Sequence, residues 1–496
     1  MHDDPAVVRT PRPLRTLARQ VAVYGSGRLA LQLLSFLTLP ILTRILSPTD
    51  YGMIEATTTF VTLVAIVASL SLESAAQRSY FDYSNEQEYD RRIVLSSAFW
   101  PMVSWASLLT AAVVLLRGQI SSALFGTTEH ATVIALAAAA LPLSIASTLF
   151  LEVMRLRQQP VRYVLVSWFG ALMSVALILY LVAVKDEGVE GFFAAGAITA
   201  TPTLLAAAVL APKSILITVS RRELRTMLMY ALPLIPVAIT TWGLQFVDRF
   251  FLLAFADLHD LGLYALGVRL SNVLLLGVTA FGIAWSPFIL DIFSRSPEEE
   301  RVVRGRALTG VALVLAFGAV VISVYAREFF LTVTGPSFAD AYKVVGILCL
   351  GAFAIGLNGV TMTGISISRR TGYFARYAIY TAALNLALNF ALIPAFGAIG
   401  AALATSLSFV ALAGLYYWRA QRLYAAPFEL MRICKIAVLA GSTIAVGTFL
   451  NLDPLWLSAV AKAILVASYV AALRVSGCLD GATVRLLRHP IRPRIT

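Results

Sequence analysis

Apolar residues in this chain come in long runs, each closed by a short polar, arginine-bearing stretch. Fourteen runs are long enough to cross about 30 Å of hydrocarbon as helices. They cover residues 20–43, 52–75, 93–116, 131–153, 163–184, 189–211, 227–247, 261–289, 307–326, 342–367, 374–394, 398–418, 433–450 and 455–474. The pattern predicts an all-α polytopic membrane protein with about 14 transmembrane helices, whose even number of crossings puts both termini on one side.

Polarity is concentrated at LTRILSPTDYGMIEA, residues 42–56, between the first two runs. A similar phrase, DRFFLLAFADLHDLGLYALG, returns at 248–267, with Gly52 falling on Gly262 at an offset of about 210. A longer echo relates the segment from Arg155 to that from Ser368: a basic loop, a span, a Gly-rich turn and a small-residue helix. Spans one to six thus correspond to seven to twelve. An even number of spans per repeat makes the repeat parallel, about an axis along the membrane normal, a plan common among rocking transporters. The predicted organisation is a basic tail (1–18), an N-lobe (19–211), a polar hinge (212–226), a C-lobe (227–418), two further helices (419–474) and a second basic tail (475–496).

Composition agrees. Of 496 residues, 59% are hydrophobic and 13% charged, against roughly 25% charged in a soluble domain. Mean hydropathy is +0.81 and the pI about 9.7. A formal charge of +12 would suggest nucleic acid for a soluble chain. Here the basic residues follow the loops. With the N-terminus inside, 30 of the 39 Lys and Arg fall on inside segments and six on outside ones, with Arg28, Arg269 and Lys462 within runs. This is the positive-inside pattern, and no nucleic-acid partner is expected. Cys349, Cys434 and Cys478 are widely spaced and the four histidines are scattered, so no metal or disulfide framework is indicated. The polar start of the chain lacks the short apolar core of a cleaved signal peptide.

Charges inside spans are the candidate chemistry, because they are expensive there and usually face a cavity or a partner. Arg28 lies in span one, flanked by Gly25 and Gly27; it either faces a cavity or snorkels to the interface. Glu73 lies deep in span two with Arg78 near its inner end; Glu73 either titrates a coupling proton or pairs with an arginine. Asp248 and Arg249 sit at the outer end of span seven. Arg269 lies in span eight with Asn272 at i+3 on the same face. Asn358, Asn385 and Asn389 are read as glue between helices, and Lys462 as a snorkelling residue. Arg28, Arg78, Arg249 and Arg269 come from the equivalent first hairpins of the two halves. Bidentate arginines suit phosphate and carboxylate, so the expected substrate is anionic, with Asn272 beside it and Glu73 or Asp248 as candidates for ion coupling.

No P-loop, GxSxG, HExxH or CxxC motif is present, so neither ATP hydrolysis by a P-loop nor these catalytic sites are indicated. The phrases LTRILSPTDYG and VDRFFLLAFADLHDLGLYALGVRL, together with fourteen spans over residues 18–475, resemble the polysaccharide flippases. These form the O-antigen and exopolysaccharide branch of the multidrug/oligosaccharidyl-lipid/polysaccharide exporter superfamily. The resemblance implies a multi-pass protein of the bacterial inner membrane that flips undecaprenyl-diphosphate-linked oligosaccharide by alternating access. It implies a cationic cavity, carried here to Arg28, Arg78, Arg249 and Arg269. Its partners would be lipid-linked oligosaccharide, membrane lipids, and the polysaccharide polymerase and chain-length machinery. No cofactor is expected beyond H+ or Na+ as coupling ion. Competing readings are a lipid II-type flippase, which would carry two further spans, and a cation–drug exporter, which would carry an acidic group in span one, where this chain offers Arg28 and no acid. A membrane polysaccharide polymerase or glycosyltransferase would need richer external loops.

Overall fold

A computed structural model describes residues 38–84 and 86–479. Helices follow one another as α1 (Leu39–Ile45), α2 (Pro48–Ser69), α3 (Leu72–Tyr80), α4 (Glu88–Leu115), α5 (Arg117–Phe125), α6 (Ala131–Ala139) and α7 (Leu141–Leu156). Next come α8 (Pro160–Ile178, extended by a π-helical turn), α9 (Gly188–Leu210), α10 (Arg221–Ala231), α11 (Leu234–Phe255), α12 (Leu258–Arg295) and α13 (Pro297–Val324). The last are α14 (Ala326–Val333), α15 (Tyr342–Thr361), α16 (Thr363–Ile367), α17 (Gly372–Leu423), α18 (Leu430–Phe449) and α19 (Leu455–Val475). No strand occurs among the described residues.

Among the described residues, twelve helical stretches are long and apolar enough to cross a membrane. One of them, α17, is two helices joined at Gly397, whose backbone (φ 50°, ψ −129°) leaves the helical region. Glycine tolerates that left-handed geometry, and Pro394 removes a helical hydrogen bond just before it. The Gly-rich turn between the predicted spans 374–394 and 398–418 is therefore real. The expected span one lies almost wholly outside the described residues. In α8 almost nothing is buried; Leu165, Phe169 and Leu172 are exposed, as a helix solvated by lipid would be.

The chain divides into two compact units. Unit 1 holds residues 1–45 and 60–236, and unit 2 holds 46–59 and 237–496. The first turns of α2 thus belong with the second-half helices, although the sequence repeat groups them with the first.

In unit 1, α3, α4, α7, α9 and α10 share one core, with Leu72, Ala76, Val94, Met102, Leu149, Met154 and Met227 all buried. Alanines at Ala75, Ala98 and Ala106 let backbones approach closely. The predicted span 52–75 is shorter than expected. Leu70 and Ser71 take φ of 50° and 53°, and this left-handed pair ends α2 at Ser69 and restarts the chain as α3. Glu73 therefore lies beyond the end of the spanning helix rather than deep within it.

In unit 2, the final two helices are locked to the rest at both ends. Arg304 and Glu300 on α13 form a fully buried ion pair at 3.0 Å. Arg304 also donates to the Tyr424 carbonyl at 3.1 Å and lies over the rings of Tyr424 and Phe428, while Thr309 donates to Glu429 at 3.0 Å. At the other end Lys462 does not snorkel. It is buried in α19 and reaches both oxygens of Glu328 on α14 at 2.8 Å, with Ser458 donating to the same carboxylate at 2.6 Å. Burying a cationic side chain is costly unless it has such a partner.

Candidate functional site

The two phrases that repeat in sequence start two helices in unit 2. At the start of α2, Ser47 Oγ accepts from Asp50 N at 3.2 Å while Asp50 Oδ2 accepts from Ser47 N at 2.9 Å. This is a reciprocal cap, with Pro48 at the first helical position, where its missing N–H is no loss. At the start of α12, Asp257 Oδ1 accepts from Asp260 N at 2.8 Å. The capped ends meet at glycine. A Cβ on Gly52 would stand 1.9 Å from the Leu258 carbonyl oxygen, and one on Gly262 would stand 1.9 Å from that of Pro48. No residue but glycine fits either position without moving a backbone. The sequence-equivalent glycines are each other's contact.

This crossing brings charged side chains from both segments together. On the α2 side, Tyr51 and Glu55 are four residues apart and share a face. Arg249, only 4% exposed, places Nε 3.1 Å from Glu55 Oε1 and Nη1 2.7 Å from Asp248 Oδ1. Its guanidinium also lies over the rings of Phe246 and Tyr264. Asp248 is buried too; its other oxygen accepts from Tyr264 OH and, at 3.3 Å, from Thr405 Oγ1 on the second arm of α17. Every charge at this level has an opposite partner, as buried charges require.

Arg269 differs. It is half-buried about three turns into α12, and its Nη1 donates to Tyr51 OH at 2.6 Å. The ring of Tyr51 lies 5.6 Å beneath the guanidinium and is itself held edge-on to Phe338. No carboxylate among the described residues is within ion-pair distance of Arg269. The side chain is aimed by a tyrosine, and among the described residues most of its five N–H donors have no acceptor, which is the state that can take an anion bidentately. Asn272, one turn on, is exposed.

The other predicted residues are dispersed. Arg78 is exposed in unit 1 and paired with Asp82. Glu73 is half-buried there. Burial pushes its carboxyl up, the neighbouring Glu152 adds to this, and Arg155 opposes it; Arg155 is itself paired with Glu152. Arg28 lies outside the described residues. Asn385 and Asn389, i,i+4 on one helix face, are buried and bond to one another at 3.1 Å. A cavity of about 540 Å³ lies elsewhere in unit 2, between residues 428–435 and 476–478, away from Arg269.

Glu55, Tyr51, Tyr264 and Thr405 are residues that sequence reasoning missed. One signal was present: Tyr51 and Glu55 flank Gly52, and a glycine needed for close approach marks which face meets another element.

No curated protein matches the chain. Among solved structures, the lipid II flippase MurJ in an inward closed conformation superposes with a TM-score of 0.70 at 14% identity, over 92% of this chain and 98% of that one. An inward-facing multidrug resistance MATE family transporter of the MOP superfamily gives 0.61 at 13% identity, over 83% and 98%. An outward-facing one gives 0.58 at 12%, over 86% and 96%. Identities this low establish the fold, which is that of the MOP-superfamily transporters. Residues 17–293, more than half of the chain, match the family described as "Polysaccharide biosynthesis protein", and the chain belongs to that family.

Proposed function

We propose that this protein is a transporter, not an enzyme, that flips an undecaprenyl-diphosphate-linked oligosaccharide from the inner to the outer leaflet of the bacterial inner membrane. It works by alternating access with both termini in the cytoplasm, and the product enters O-antigen or exopolysaccharide synthesis through a polymerase and its chain-length machinery. The observation that carries this reading is Arg269: a guanidinium inside a spanning helix, aimed by Tyr51 and without a carboxylate at ion-pair distance among the described residues. In a polysaccharide biosynthesis family, a diphosphate headgroup is the anion that such a residue suits. Asn272, one turn from Arg269 on the same helix, is assigned to the same anion site. Arg249 supports it through Glu55 and Asp248.

Coupling to H+ or Na+ is assigned to Glu73 and Asp248. Burial already raises the Glu73 carboxyl, so it holds a proton at a higher pH than an exposed carboxylate would. A strain lacking the protein should accumulate lipid-linked oligosaccharide on the inner leaflet. Arg269→Ala should fail to clear it at normal protein level, with Arg269→Lys partly active because bidentate geometry is lost. Full clearance by Arg269→Ala would overturn the assignment. The fold shared with a lipid II flippase supports a second reading, in which the same diphosphate carries a peptidoglycan precursor. Rescue of a strain depleted of its lipid II flippase would favour that reading.

A further inference from the structure

The segment 212–232, PKSILITVSRRELRTMLMYAL, connects the end of α9 to the start of α11, and its outward charges have no use in the fold. Its inward side is strapped to unit 1. Leu216 N donates to Ser96 Oγ at 2.7 Å, and Trp100 Nε1 donates to the Leu216 carbonyl at 2.7 Å. Ser220 N donates to Ser97 Oγ at 2.8 Å. Helix α10 then starts on a Ser220 cap and buries Met227 and Ala231 in the core. Its acid, Glu223, is taken up by Tyr83 OH at 2.9 Å.

What remains outside is one-signed and apolar. Arg221, Arg222 and Arg225 are all exposed, and none is in an ion pair among the described residues. Beside them Ile217 is 96% exposed and Met229 62%. Arginines next to exposed apolar side chains on an amphipathic helix suit the headgroup boundary of a bilayer better than water. The tether requires that location too. The helix begins eleven residues after α9 ends at Leu210 and ends three residues before α11 begins at Leu234, and both neighbours are spans.

We infer that α10 and its strap form a rigid dock for anionic phospholipid, with Arg221, Arg222 and Arg225 bound to the lipid phosphates and Ile217 and Met229 seated at the acyl boundary. The dock is independent of what is transported. It holds the joint between the two halves at the membrane surface and makes the transporter's working state depend on anionic lipid.

The test is amide hydrogen exchange of residues 217–232 in the full-length protein, reconstituted in nanodiscs of phosphatidylcholine alone or with phosphatidylglycerol. Protection should be greater with phosphatidylglycerol and should fall as salt is raised. One basic side chain near an anionic surface strengthens association about fivefold. The triple variant R221Q/R222Q/R225Q should therefore lose the phosphatidylglycerol effect by roughly tenfold or more. R221K/R222K/R225K should retain it, because a lipid surface reads charge. Equal protection in the two discs, or an unchanged effect in the glutamine variant, would overturn the dock. A lysine variant as defective as the glutamine one would replace the lipid surface with a single bidentate phosphate site.

Discussion

The two repeated phrases make the same backbone and different chemistry. Ser47 and Asp257 cap their helices at equivalent positions, and Gly52 and Gly262 give identical close contacts. One residue either way the match ends. Tyr51 and Glu55 stand where the second phrase has Leu261 and Ala265, and they face Arg269 and Arg249. Symmetry is kept where packing demands it and dropped where charge is used. The halves diverge further along: Arg249 is buried between two carboxylates, whereas Arg78 is exposed beside one.

The contrast can be broken most forcefully at Arg249. Arg249→Ala leaves the buried Asp248 and the half-buried Glu55 without their cation, and removal of one partner of a buried pair costs about 3–5 kcal/mol. The melting temperature of purified protein in detergent should fall by many degrees. Gly52→Ala comes next. Its methyl must displace the Leu258 carbonyl, and overpacking of this kind costs about 3 kcal/mol; Gly262→Ala should match it, since the contact is reciprocal. A melting curve unchanged in either variant would remove the helix crossing from the account.

A smaller effect is expected at the Lys462–Glu328 contact. Burial raises the Glu328 carboxyl, but the Lys462 and Ser458 hydrogen bonds outweigh this and hold it below its ordinary value of 4.5. A depressed carboxylate stabilises the fold above its unfolded value and loses that contribution as pH falls through the folded one. Lys462→Met should thus lower the melting temperature near neutral pH, and the gap to wild type should narrow below about pH 4.5. Glu73 has the opposite sign. Its raised pKa favours the fold at low pH, and the contribution is lost as pH rises through the folded value. Glu73→Gln should flatten that dependence and remove any response of transport to a pH gradient in proteoliposomes. Arg78→Ala should leave the melting temperature where it is, since its side chain is exposed.

The spans were legible because lipid imposes a run length and leaves charge only at loops. The helix starts were legible at Ser47-Pro48 and at Asp257, where local capping chemistry decides. The break at Leu70–Ser71 was not, because an apolar run carries no mark of a left-handed pair. Among the charges, Arg269 stands out in the sequence by its isolation in an apolar run. The Arg249 network was hidden because Glu55 lies 194 residues from its partner, and Lys462 was misread because Glu328 lies 134 residues away. Pairings of that range are set by helix packing, which a single sequence does not display.

The proposal is that Arg269, aimed by Tyr51 and without a carboxylate at ion-pair distance among the described residues, receives the diphosphate. Its most direct test is translocation of undecaprenyl-diphosphate-linked oligosaccharide by the purified protein in proteoliposomes, comparing wild type with Arg269→Ala at equal incorporation and equal melting temperature. The account predicts wild-type flipping and loss of most of it in the variant. Equal rates in the two, or no flipping by wild type, would contradict it.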